Sequence, residues 1–161
     1  MREPTPTAPR MPRGYGAPAD GSGSVLLPWS WAVERLESAH NYWICTTHAD
    51  GRPHSVPVWG LWLDDAVWFS TGRTSAKGRN LARSPACVVH LESGDETVIL
   101  EGDVEEASGD LARYADAYDA KYGYRPDPAE EDSVVYVLRP RTAQTWTESG
   151  FPRNATRWQF E

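Results

Sequence analysis

From Phe69 to Arg83 the chain reads Phe-Ser-Thr-Gly-Arg-Thr-Ser-Ala-Lys-Gly-Arg-Asn-Leu-Ala-Arg. Four cations, Arg73, Lys77, Arg79 and Arg83, stand here without an acid, and the hydroxyls of Ser70, Thr71, Thr74 and Ser75 stand among them. These residue types hold anions. A strand ending at Thr71 is followed by Gly72, which frees the backbone to turn. Ser75 can then cap a helix whose N-terminal N–H groups and dipole favour negative charge. Lys77 and Asn80, three apart, share one helix face, and Arg79 and Arg83, four apart, share another. A charge-assisted hydrogen bond to phosphate contributes roughly 1.5–3 kcal/mol, so three or four would hold a phosphorylated ligand firmly. The competing reading is a short basic helix that is merely solvated. The spacing is not that of a Walker loop, and no G-x-G-x-x-G follows a strand.

The background makes this segment an exception. The chain has 161 residues, 16 Lys plus Arg and 23 Asp plus Glu, for a net charge of -7. Residues 1–28 hold six of the thirteen prolines and almost no aliphatic side chains before Val25. They are expected to form a disordered arm, because they bury too little apolar area to offset ordering entropy. Arg2, Arg10 and Arg13 lie in that arm, where a bland tail is preferred to a targeting role. Without the arm the charge is -8, from thirteen basic and twenty-one acidic residues. A field of that sign argues against nucleic acid as partner. No apolar run is long enough for a membrane span, and no secretory h-region exists, so a cytoplasmic chain is expected. A length near 150 favours one domain, over residues 29–161. There are only two lysines, Lys77 and Lys121, but eight tryptophans, more than one core needs.

The elements that must position the basic segment can be read from periodicity. Ser30 is expected to cap a helix through about His40. Tyr42 to Thr47 reads as a strand, Asp50-Gly51 as a type I′ hairpin turn, and His54 to Leu63 as the returning strand, with Pro57 marking an edge or bulge. Asp64-Asp65 turns into a strand from Ala66 to Thr71. A helix follows from Ala76 to Arg83, and strands Ala86 to Glu92 and Thr97 to Glu106 pair around Ser93-Gly94-Asp95. Leu111, Tyr114, Ala115, Tyr118 and Tyr122 mark an amphipathic helix ended by Gly123. Val134 to Arg139 and Ala143 to Thr147 are the last strands. Six or seven short antiparallel strands with two or three helices predict a small, mainly β barrel.

Other constellations are weaker. Cys45, His48, His54, Cys87 and His90 lack convincing metal-ligand spacing, and both thiols are expected to be buried. No G-x-S-x-G elbow supports a catalytic triad. The Asn154-Ala155-Thr156 sequon is not read without a signal peptide. Asp50, Asp64, Asp65 and Asp95 are simpler as turn formers than as acids.

The run from Tyr42 to Glu105 resembles the flavin- and deazaflavin-binding split barrels of the pyridoxamine-phosphate-oxidase-like superfamily. The motifs are Asp50-Gly51-Arg52-Pro53 with Val56-Pro57-Val58-Trp59, then Phe69-Ser70-Thr71, then Ser75-x-Lys77-x-Arg79-Asn80-Leu81-x-x-x-Pro85. The ending Ala155-Thr156-Arg157-Trp158-Gln159-Phe160 resembles that of an actinobacterial deazaflavin-dependent branch. The resemblance implies a split-barrel homodimer with cofactor at the subunit interface. Arg73, Ser75, Lys77, Arg79 and Asn80 would hold the cofactor phosphate. Pro57, Val58 and Trp59 would lie beside its ring, Phe69, Ser70 and Thr71 under it, and Trp158 would reach the partner's site. Trp59, Trp62, Trp68 and Trp146 are the candidate aromatic walls, with Trp59 and Trp62 on opposite strand faces. The implied cofactor is coenzyme F-420, an 8-hydroxy-5-deazaflavin, with FMN as the alternative. The implied activity is hydride transfer to a small, planar, unsaturated substrate, without a protein nucleophile, the proton coming from solvent or a tyrosine. The Arg- and His-rich C-terminal substrate motif of the true pyridoxamine-phosphate oxidases is absent. A non-catalytic flavin, deazaflavin or haem-binding module is the alternative. For haem, which ranks behind both flavins, His40, His48, His54 and His90 are the axial candidates.

Overall fold

The computed structural model describes residues 3–12, 14–16, 23–109, 111–127 and 130–161. Nine antiparallel strands build one sheet: β1 (Thr5–Thr7), β2 (Tyr42–Thr47), β3 (Pro53–Val58), β4 (Leu61–Leu63), β5 (Ala66–Gly72), β6 (Ala86–His90), β7 (Glu96–Glu106), β8 (Ser133–Thr147) and β9 (Thr156–Gln159). Three helices accompany it: α1 (Trp29–Ser38), α2 (Ala76–Arg83) and α3 (Ala112–Tyr122). The main path runs β1-β9-β8-β7-β6-β2-β3, and the β4–β5 hairpin branches from β8. Strand β8 carries this branching. Its first half pairs with β5, its second half with β9, and β7 lines its other side from Tyr136 onward. The switch falls at a bulge, where Glu101 faces Thr142 and Gly102 faces Pro140. Proline has no N–H for a ladder, so a bulge is where a strand can accept it. No pairing joins β3 to β5 among the described residues, so the sheet stays open there, as a split barrel requires.

The fold class agrees with the sequence reading, and the elements differ in identifiable ways. The expected strand His54 to Leu63 breaks at Trp59-Gly60 into β3 and β4. A Cβ at Gly60 would come within 3.0 Å of the Trp68 carbonyl, so the backbones approach too closely there for another residue. The two expected C-terminal strands are one, since the bulge at Pro140 bends β8 without ending it. At Asp50-Gly51 only Gly51 has positive φ (87°), so this is not a type I′ turn. Asp64 and Asp65, with φ of 52° and 57°, form the two-residue turn with both central residues left-handed instead. Helix α1 begins at Trp29 after Pro28, and no side chain caps it, so Ser30 lies inside the first turn. Thr5–Thr7, in the arm expected to be disordered, pair with Arg157–Gln159. They are exposed, so backbone hydrogen bonds to a free sheet edge recruit them rather than apolar burial. Arg2, Arg13 and Pro18 lie outside the described residues.

The main core holds Tyr42, Ile44, Phe69, Leu100, Leu138 and Trp158, closed by Trp29, Ala32 and Leu36 of α1. A smaller core under α3 gathers Leu61, Tyr114, Tyr118 and Val135. Among the described residues no helix is long and apolar enough to cross a membrane.

Candidate functional site

The basic segment folds into the junction its spacing predicts. Ser75 caps α2, its Oγ accepting from the Gly78 N–H at 3.0 Å and lying 2.9 Å from Thr71 Oγ1. Gly78 has a packing role, because a Cβ there would sit 2.3 Å from the Gly72 carbonyl. The first-turn amides of Ala76 and Lys77 are ones that no helix carbonyl can reach.

The four cations have different fates. The Arg73 guanidinium pairs with Glu106 through two contacts, at 3.0 and 3.1 Å, and this carboxylate holds its pKa up. Arg79 turns back to the Thr74 carbonyl. Arg83 donates to the Thr47 carbonyl at 2.5 Å. Thr74 is spent on Asp132, through its N–H at 3.2 Å and its hydroxyl at 2.9 Å. Lys77 alone is half-buried, with no hydrogen bond or ion pair among the described residues. Burial holds its pKa below the usual lysine value. A half-buried ammonium placed this way can take a counter-charge from outside the chain.

Lys77 and Asn80 do share a face, and it is turned toward the β2–β3 hairpin. Asn80 is buried and donates to Thr46 Oγ1 at 3.0 Å, so its amide nitrogen braces α2 on β2. Thr46 Oγ1 lies 3.4 Å from His54 Nδ1, and the His48 and His54 rings are 5.1 Å apart, edge to face. The pKa of His54 is lowered chiefly by burial, with smaller contributions from the positive charges of His48 and Lys77.

The ring-side residues divide into exposed and buried sets. Pro57 and Trp59 are exposed and Val58 is half-buried, at the free edge of β3. The Trp59 indole, 41 % exposed, stacks on Tyr122 at 4.7 Å with planes 2° apart. The Tyr122 hydroxyl donates toward the Gly60 and His40 carbonyls (2.7 and 2.8 Å), and Lys121 Nζ reaches Tyr42 Oη and the Gly60 carbonyl (3.2 and 3.3 Å). Together they clamp the break between β3 and β4. Lys121 has no carboxylate partner among the described residues, and burial lowers its pKa to about 8. Phe69 is fully buried against Tyr136, whereas Ser70 is half-buried and Thr71 nearly buried. Phe69 therefore supports the site from the core.

Trp158 does not lie where the resemblance put it. Its indole is 1 % exposed, donates to Thr145 Oγ1 at 3.0 Å and packs on Trp29 at 5.3 Å, so it serves its own core and does not extend to a partner. Of the other candidate walls, Trp62 packs on Trp29, Trp68 covers Tyr114 and donates to the Leu63 carbonyl, and Trp146 meets Phe151. Trp59 and Trp62 do take opposite faces. Cys45 is only half-buried. Cys87 is buried, and its thiol is pushed up to about 12. Sequence reasoning did not single out His54, Lys121 or Tyr122 for this site. The scarcity of lysine was the available signal for Lys121, and alternation along β3, which sets His54 on the face of Val56 and Val58, was the signal for His54.

A family model described as pyridoxamine 5'-phosphate oxidase matches residues 32–147. The chain belongs to this family. Its place in the pyridoxamine 5'-phosphate oxidase family covers the chain from within α1 to the end of β8. No curated protein matches it. Among solved structures it is similar to an F-420 reductase, at 21% identity and TM-score 0.58, over 68% of this chain and 93% of that one. It is similar to an FMN-binding, pyridoxamine 5'-phosphate oxidase-related protein of Nostoc punctiforme, at 19% identity and TM-score 0.62, over 85% and 93%. These two likenesses are of fold. A heme binding protein from Mycobacterium smegmatis matches at 25% identity and TM-score 0.65, over 84% of this chain but only 60% of that one.

Proposed function

We propose that this protein is an oxidoreductase that binds coenzyme F-420, or FMN in its place, and reduces a small, planar, unsaturated substrate. The observation that carries the reading is Lys77, a half-buried ammonium without a counter-charge at a Ser-capped helix start. The residues present fit a phosphorylated tricyclic group. Lys77, the Ala76 and Lys77 amides and the hydroxyls of Thr71 and Ser75 would hold its phosphate. From His54 to Trp59, β3 and its end run five residues, roughly 16 Å at strand rise. That length suits a ligand with phosphate at one end and a flat ring at the other. Pro57, Val58 and Trp59 would flank the ring, with Ser70 and Thr71 beneath it and Phe69 behind. Arg73 and Arg79 are pinned to Glu106 and the Thr74 carbonyl, so they shape the field more than they grip. Asn80 would act by bracing α2.

When bound, a reduced flavin or deazaflavin supplies hydride to an electron-poor substrate. The chain's part is to position and to exclude water. Tyr42, Tyr114, Tyr118 and Tyr122 have pKa values raised chiefly by burial, so they stay protonated, and the Tyr42 and Tyr122 hydroxyls are spent on backbone carbonyls. The working form proposed is a cytoplasmic homodimer with the open β3 edge at the subunit interface.

Titration of the purified protein with each cofactor, followed by tryptophan quenching, tests the reading. Binding of at least one below about 100 μM is expected; failure of both refutes it. The second reading, a haem-binding module, is favoured by the likeness to the mycobacterial heme binding protein. It requires a Soret band on reconstitution that a single histidine substitution removes.

A further inference from the structure

The cluster that faces Lys77 across the seam is not used by the function above. We propose that His54, backed by His48, is a second, proton-dependent arm of the anion seat, fitted to a doubly charged phosphate monoester. This rests on the reading of Lys77 as the phosphate contact. Lys77 supplies one positive charge. A phosphodiester carries one negative charge at any working pH, whereas a monoester carries close to two above about pH 6. The second charge needs a partner, and among the described residues the seam holds no free acid to compete. The groups around His54 are Thr46 on β2, His48, Asp50 and Arg52 in the connecting loop, and Lys77, Asn80 and Arg83 on α2. Asp50 is held by Arg52 at 2.8 Å, and Arg83 by the Thr47 carbonyl.

The wiring of His54 suits both of its charge states. Asn80 donates to Thr46 Oγ1, so that hydroxyl can donate to the Nδ1 of a neutral imidazole. When the imidazole gains a proton, Nδ1–H donates and Thr46 Oγ1 accepts through its remaining lone pair. Nε2 has no partner among the described residues and is left for a ligand. Without ligand, Lys77 and His48 oppose a further positive charge, so His54 stays neutral. A bound dianion reverses that balance, and His54 takes one proton from solvent as the monoester docks. Binding of a monoester therefore consumes a proton, and binding of a diester does not.

The test is isothermal titration of the whole protein with FMN, a monoester, and with coenzyme F-420, whose phosphate is a diester. Each is run in buffers of different ionisation enthalpy near pH 7.5. Proton uptake is expected with FMN only, with FMN affinity rising up to about tenfold per pH unit of acidification. His54→Gln should abolish the uptake, weaken FMN about tenfold at pH 6.5 and leave F-420 affinity within about twofold. Proton NMR of the wild-type protein gives a measurement free of any folding defect. One of its four histidine signals should titrate at higher pH with FMN than without. FMN binding without uptake, or uptake that persists in His54→Gln, overturns the second arm and leaves the Lys77 reading intact. Binding of F-420 but not FMN does the same. Failure of both ligands to bind overturns both.

Discussion

Replacing Lys77 with Met separates a binding residue from a structural one. The side chain is half-buried, unpaired among the described residues, and held below its usual pKa by desolvation. Its charge thus opposes folding, while its stem packs. Met keeps an unbranched stem, has similar helix propensity and removes the buried charge. Stability should be unchanged or slightly higher, with Tm at or above that of the wild type. Cofactor affinity should move the other way. Losing one charge-assisted contact to phosphate removes about 1.5–3 kcal/mol, or roughly a 10- to 150-fold rise in Kd. The assay is a quenching titration beside a thermal melt. A loss of more than about 1 kcal/mol of stability would reveal a native partner for the ammonium. An unchanged Kd would show that no anion is held there. Either result refutes the reasoning.

Three further predictions concern the frame around this residue. Gly78→Ala, which in an exposed helix gains roughly 0.5–1 kcal/mol, should instead destabilise α2 in urea melts, because the new Cβ would lie 2.3 Å from the Gly72 carbonyl. Trp158→Phe should lower stability by about 1–3 kcal/mol, since it removes the hydrogen bond to buried Thr145, yet leave cofactor affinity of the folded fraction unchanged. Burial holds the folded pKa of Lys121 at about 8, below the ordinary lysine value of about 10.5. Between about 8 and 9, below the range in which Cys87 and the buried tyrosines oppose it, the unfolded chain binds more protons at this group, so stability should rise with pH there. Urea melts at several pH values should show the rise, and Lys121→Met should flatten it.

Local chemistry made much of this protein legible in its sequence. The Ser75 cap, the bounds of α2, the left-handed Gly123 that ends α3 and the span of β2 all depend on residues within a few positions of one another. The positive segment could be found the same way. Local chemistry also misled at Asp50-Gly51, where a five-residue loop replaces the tight turn, while Asp64-Asp65 adopts it. Which cations of the segment remain available was decided only by tertiary structure. Arg73 is neutralised by Glu106, thirty-three positions away, and Arg83 is tied to a carbonyl on β2, so Lys77 is the one cation of the four left without a polar partner among the described residues. The same holds for His54, which shares Thr46 with Asn80 of α2 only because α2 packs on β2. It holds for Trp158, drawn into the core by Thr145 and Trp29, and for β1, placed on β9 about 150 residues downstream. A residue's neighbours along the chain decide its backbone, but the partners that cancel or spare its charge come from strands joined late in the fold. In this protein the sequence by itself predicted a capped, basic strand–helix junction, and tertiary packing decided which of its cations are tied up by partners from elsewhere in the chain.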